Sequence, residues 1–174
     1  ALALGIGRIE VGASAAAERW GPAIRNPLLL SGNAAGIPRF FVGTKEPLQT
    51  RAGRLSATLL SGVLTESRFF DRDPANDYRS ISGVVVALGP AFDSTLLIGM
   101  ERVVYRPIAD DESLFLTSLT RPLDVFLRWE RLAGPDANHP DGSPRQSADQ
   151  IIGLFARKFF PALGLEAYGE WARL

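Results

Sequence analysis

The sequence predicts an all-β chain, and more narrowly a segment of an antiparallel transmembrane β-barrel of about seven strands, with long outer loops and short periplasmic turns. Three observations predict it. Candidate strands run mostly eight to eleven residues, matching the about 9 to 11 tilted residues that cross a bilayer. Their connections go long, short, long, short, the rhythm of a barrel with tight turns at one rim and extended loops at the other. Rings gather near strand ends, at Tyr105, Phe159, Phe160 and Trp171, where interfacial aromatics are favoured.

Residues 2–12, LALGIGRIEVG, are apolar and glycine-rich with imperfect alternation, and read as the first strand. A long connection, 13–36, leads to a short strand at 37–44, where Pro38 is tolerable near the start. After the link KEPLQTRA, residues 53–64 place Leu55, Ala57, Leu59 and Val63 on one face and Arg54, Ser56 and Thr58 on the other. The Asp-, Asn- and Pro-bearing stretch 65–80 is a loop signal, followed by a strand at 81–89 and a tight reversal around Gly89, Pro90 and Asp93. TLLIGMERVVY sets Leu96, Ile98, Met100, Arg102 and Val104 against Leu97, Gly99, Glu101, Val103 and Tyr105. In the long loop 106–148 the apolar spacing shifts towards three and four, which predicts one or two short helices broken at Pro122. Two strands close the chain, 150–160 and 165–173, around a turn at Pro161–Gly164.

Composition narrows the function classes. Nineteen basic and nineteen acidic residues balance to zero net charge, so nothing electrostatic points to nucleic acid. No Cys is present, which removes disulfides, thiolate nucleophiles and zinc–thiolate sites. Seventeen glycines argue for sheet and turns over helical bundles. The start at Ala1 without Met reads as a fragment or a processed chain. Seven strands cannot close a bacterial barrel, which needs an even number, so either one strand is miscounted or the chain is part of a larger barrel. Seven alternating strands describe a soluble β-sandwich equally well, with its aromatic residues as core, and an α+β arrangement stays open.

Trp20-Gly21-Pro22, then Asn26-Pro27-Leu28-Leu29-Leu30-Ser31-Gly32-Asn33-Ala34 and Gly36-Ile37-Pro38, resemble the signature of the capsule assembly protein Wzi family. Asp149-Gln150, the strand with Phe155, Arg157, Phe160 and Pro161, and Gly164-Leu165-Glu166-Ala167-Tyr168-Gly169-Glu170-Trp171 are similar to that family's Glu-x-Tyr-x-Glu-like strand pair. Gly62, Glu66-Ser67 and Phe69-Phe70 match more loosely, and 106–148 match nothing. The resemblance implies an internal piece of an outer-membrane β-barrel, residues 1–174 forming a partial barrel domain. It implies a non-enzymatic role in assembling or attaching capsular polysaccharide or exopolysaccharide, in the cell outer membrane. The implied partners are outer-membrane lipid, the glycan and the remaining strands of the full-length barrel. No cofactor, no metal and no nucleic acid are expected. A porin-like channel or transporter, and a soluble β-rich carbohydrate-active or binding protein, are the alternatives.

Arg19, Trp20, Gly21, Pro22 and Asn33 are the loop candidates. Trp20 serves either as a sugar-stacking platform or as a pin that fixes a loop, and Asn33 either touches ligand or closes an Asx-type turn. If the strands meet lipid on one side, Arg39, Glu101, Arg157, Glu166, Tyr168 and Glu170 face the lumen, because a charge in hydrocarbon costs several kcal/mol. Arg8, Arg39, Arg54 and Arg157 are the candidate cations for those carboxylates. Arg102 falls on the opposite face, and is expected to snorkel at a rim or to mark a register-shifting bulge. Glu166 and Glu170 lie about 13 Å apart by strand rise, beyond the about 5 to 9.5 Å of paired glycosidase carboxylates. His139 sits alone in a Pro- and Asp-rich loop with Asp136, Asn138 and Asp141, without an EF-hand spacing. Gly5-Ile6-Gly7 is too short for a dinucleotide loop.

Overall fold

The computed structural model describes residues 1–24, 26–32, 36–65, 77–108, 113–127 and 149–174. The strands are β1 (Leu2–Ile6), β2 (Ile9–Ser14), β3 (Arg39–Thr44), β4 (Leu48–Thr50), β5 (Gly53–Thr65), β6 (Tyr78–Pro90), β7 (Leu96–Pro107), β8 (Asp149–Phe160) and β9 (Leu165–Arg173). They form one antiparallel sheet in the order β1-β2-β3-β5-β6-β7-β8-β9, with the short β4 paired to β5 off this path. Two short helices, α1 (Leu114–Thr120) and α2 (Asp124–Leu127), lie on either side of Pro122.

Residues 2–12 are a hairpin rather than one strand. Gly7 takes φ 62°, and the two residues Gly7 and Arg8 turn the chain so that Ile6 opposes Ile9. Tight two-residue turns need positive φ, and glycine supplies it without a Cβ clash. The β6–β7 turn is held by Asp93, whose carboxylate accepts from the Thr95 amide at 3.0 Å and its hydroxyl at 2.7 Å and pairs with Lys158. The Lys158 ammonium, with the Thr95 bonds, holds the Asp93 carboxyl well below the usual carboxylate range.

The sheet does not close. Among the described residues β1 is bonded to β2 alone and β9 to β8 alone. Each edge therefore carries a row of backbone N–H and C=O groups without a strand beside it. In hydrocarbon such groups cost several kcal/mol apiece, which is why strands span bilayers only as closed walls. The expected transmembrane barrel segment is corrected to an open antiparallel sheet. The expected lumen, channel, outer-membrane lipid contact and outer-membrane location fall with it, and nothing supports the further barrel strands expected as partners. Alternation and a long–short rhythm belong to any up-and-down meander, so they do not report closure. No described helix is long and apolar enough to cross a membrane.

Unbroken register from β5 to β9 divides the side chains between two faces. One face carries Leu60, Ile81, Gly83, Val85, Val103 and Glu101, and is covered by a strap formed from the chain between β2 and β3. The strap drives Trp20 onto the sheet, where it is 3 % exposed and forms the core with Leu30, Leu60, Ile81 and Val103. Gly83 makes the approach possible, since a Cβ there would sit 2.6 Å from the Trp20 ring. The strap is pinched by the Trp20 amide donating to the Leu30 carbonyl at 3.0 Å and by the Arg19–Ser31 bridge.

The other face carries Leu59, Val84, Ile98, Met100, Leu154 and Trp171, and among the described residues α1 and α2 cover one end of it. Ser113 caps α1 by accepting from the Leu116 amide. The Ser82 hydroxyl donates to the Arg121 carbonyl at 2.6 Å, and Arg106 meets Asp124 at 2.8 Å. Arg102 neither snorkels nor shifts the register. It lies buried beneath α2, donating to the Val125 carbonyl and, at 2.6 Å, to the Gln150 side chain, while the ladder runs on through its pairing with Val84.

Trp20→Ala empties the centre of the strap-side core and is expected to cost about 3 kcal/mol in urea unfolding. Gly83→Val, which pushes the ring away without removing it, is expected to destabilise in the same direction.

Candidate functional site

Two features of the sheet have the makings of a site: a carboxyl cluster under the strap and an apolar groove beside α1. The first begins with Glu170 on β9. Its Oε1 accepts from the Ala23 amide at 2.9 Å and its Oε2 from the Leu28 amide at 2.7 Å. One carboxylate thus ties down both limbs of the Gly21–Leu28 bend. Gly21 is required there twice, by φ 85° and because a Cβ would stand 2.4 Å from Glu170 Oε1. Arg19 donates to the Ala23 carbonyl and tightens the same bend.

Glu101 on β7 lies deeper, 1 % exposed, opposite Val85 and Gly153. Leu29 of the strap reaches the same spot, its Cδ1 3.0 Å from where a Gly153 Cβ would be. Among the described residues the Glu101 Oε2 has no hydrogen-bond partner. Burial, and then the charge of Glu170, push the Glu101 carboxyl up to about 7. This is an acid that stays protonated until near neutrality.

The sequence-singled residues are placed as follows. Arg39, Glu101, Arg157, Glu166, Tyr168 and Glu170 all stand on the strap face. Glu170 meets the Trp20–Gly21–Pro22 corner at Gly21 and Ala23, and Arg157 meets Glu166 at 2.7 Å. Arg39 stays apart on β3, where it pairs with Glu18 and donates to the Ala16 carbonyl at 2.6 Å. Among the described residues Glu101 meets no cation, and the Arg54 side chain goes to the Ser94 carbonyl at 3.2 Å instead. Trp20 has no open ring face for a sugar, being wedged between strap and sheet, with its indole N–H on Glu18 at 3.1 Å. Asn33, and His139 with Asp136, Asn138 and Asp141, lie outside the described residues, as does the whole stretch 128–148 between α2 and β8.

The groove was not foreseen. It opens on the helix face at the end of the sheet, between α1 and strands β1, β2, β3 and β5, with a volume of about 590 Å³. Leu2, Ala13, Phe40, Val63, Leu114 and Phe115 supply apolar wall, and Thr65 and Tyr78 supply hydroxyls. Phe40 and Phe115 meet edge to face at 5.7 Å and fix α1 as the outer wall. The signal in the sequence was the Phe40-Phe41 doublet, whose two rings must face opposite sides of a strand, together with the Leu114–Leu119 apolar run.

No family model matches the sequence, and no curated protein or solved structure matches it. The resemblance to the capsule assembly family is therefore not supported, and the open sheet lacks the closed wall that it implied. The expected role in capsule or exopolysaccharide assembly, with the glycan as partner, is corrected accordingly. What stands is an open β-rich sheet with a covered polar face and a grooved apolar one.

The folded chain holds the Glu101 proton more tightly than an ordinary carboxyl does. The stability this contributes is complete below about pH 4.5 and is lost as the pH rises through about 7. Unfolding free energy is expected to fall across that window by at most about 1.4 kcal/mol per pH unit. In Glu101→Gln, which cannot ionise, that decline should vanish from denaturant titrations run at successive pH values.

Proposed function

We propose that this chain is a non-catalytic β-sheet binding module that takes a small amphipathic molecule into the groove beside α1. The single observation that carries this is the groove itself. Its volume of about 590 Å³ falls within the about 300–1,000 Å³ of small-molecule sites, and such sites pair apolar walls with a few polar groups that set orientation. Phe40, Phe115 and Leu114 receive an alkyl or ring portion, while the hydroxyls of Thr65 and Tyr78 take a hydroxyl or carboxyl head. Supporting it, α1 is fastened to the sheet through Ser80, Ser82 and Arg121, so the outer wall is in place before a ligand arrives. Preorganised walls lower the cost of binding. The polar cluster under the strap has a different part in this reading: it holds the sheet's other face shut.

Dodecanoate is the probe that tests this. Calorimetric titration is expected to show saturable one-to-one binding to the wild-type chain, weakened at least tenfold in Ala13→Trp, where an indole fills the groove. Binding that is absent, or that is equal in the two proteins, would overturn the assignment. Phe115→Asp, which puts a charge on the outer wall without filling it, is expected to weaken binding likewise.

A further inference from the structure

We infer that the two open edges are complementary, and that β9 of one copy of this chain pairs antiparallel with β1 of a second copy. Edge strands in natural sheets are blunted by proline, by charge or by a covering element. Strand β1, LALGI, carries neither proline nor charge, and among the described residues no strand lies on its outer side. Leu2, Leu4 and Ile6 are 81, 76 and 71 % exposed, and the outer side of the strand offers its backbone groups to any incoming ladder.

Direction and side both match. An even number of strands lies on the path from β1 to β9, so the two edges run in opposite senses and a copy placed alongside continues the antiparallel pattern. Their short turns, at Gly7-Arg8 and Pro161–Gly164, lie at the same end of the sheet. With those ends level, Leu165 falls opposite Ile6 and Ala167 opposite Leu4, apolar on apolar. On the strap face Glu166 falls opposite Gly5, over which Lys45 of the same copy extends, its Nζ 3.8 Å from where a Gly5 Cβ would be. Glu166 accepts from Arg157 through Oε2 and has a second oxygen for this lysine. A β9–β9 pairing would instead set Glu166 and Glu170 of two copies against one another, an unfavourable like-charge row. A β1–β1 pairing brings Lys45 no carboxylate from the second copy's β1, since LALGI has none. The head-to-tail mode is therefore preferred, and it is self-propagating unless a ring closes.

The chain lacks cysteine, so introduced thiols report on this pairing alone. Leu4→Cys and Ala167→Cys proteins, each checked by circular dichroism for an unaltered sheet, are oxidised separately and as a mixture. Abundant cross-linked dimer in the mixture, and little in either protein alone, is expected. No cross-link in the mixture overturns the pairing, and equal cross-linking of Leu4→Cys alone replaces it with β1–β1. Light scattering supplies a readout free of thiols. Leu4→Lys, which protects the edge, is expected to shift the average mass towards the monomer, and an unchanged mass overturns the edge as the contact.

Discussion

Everything in this molecule hangs on the pleat, which sends successive side chains to opposite sides of a strand and is carried without a slip from β5 through β9. That constraint puts Glu101 and Glu170 on one side of the sheet and Arg102 and Trp171 on the other. A slip of one residue in β7 would exchange Glu101 for Arg102 beneath the strap and place a guanidinium where Leu29 packs. The backbone hydrogen bonds would survive such a slip. The buried side chains would not, and they are what specify the register.

The two faces meet their need for cover by different chemistry. On the strap face the described part of the covering element holds only the Arg19–Ser31 bridge, so most of its backbone donors must be satisfied individually. Glu170 serves two of them, and Arg39 serves the Ala16 and Ile37 carbonyls. A single large ring then locks the strap in place. On the helix face α1 and α2 satisfy their own backbones, and the sheet answers with serines and arginines that bond the helix ends. Arg102 is the costliest of these, since burial opposes its charge. Its bonds to the Val125 carbonyl and Gln150 offset part of that cost. Where no helix reaches, the apolar side chains of this face remain open.

Strand positions were largely legible because alternation is local. The faces of Arg54, Glu101, Arg102, Glu166 and Glu170 could be read off the same pattern. The Gly7-Arg8 turn was lost because apolar residues flank it on both sides and no Asn or Asp marks it. Closure was misread for a deeper reason: a period of two describes the two sides of a ribbon and is silent on whether its ends meet. The partner of Glu170 was illegible too. Its acceptors are taken by main-chain amides of residues far away in the chain, and amides have no sequence signature. The groove arises where a loop-borne helix stands off the sheet, a distance that no spacing of residues encodes.

The meander order has a kinetic side. Most strands pair with the strand that precedes them, so hairpins can form one after another as the chain leaves the ribosome, each template ready for the next. The step from β7 to β8 breaks this ease. Its connection, 108–148, is roughly eight times as long as the 91–95 turn between β6 and β7, and at about 0.6 kcal/mol per doubling of loop length that raises the closure cost by about 2 kcal/mol. The β8–β9 hairpin is thus poised to dock last. Because β9 brings Glu170, the strap between β2 and β3 must wait for it and completes its structure only after β9 has been made.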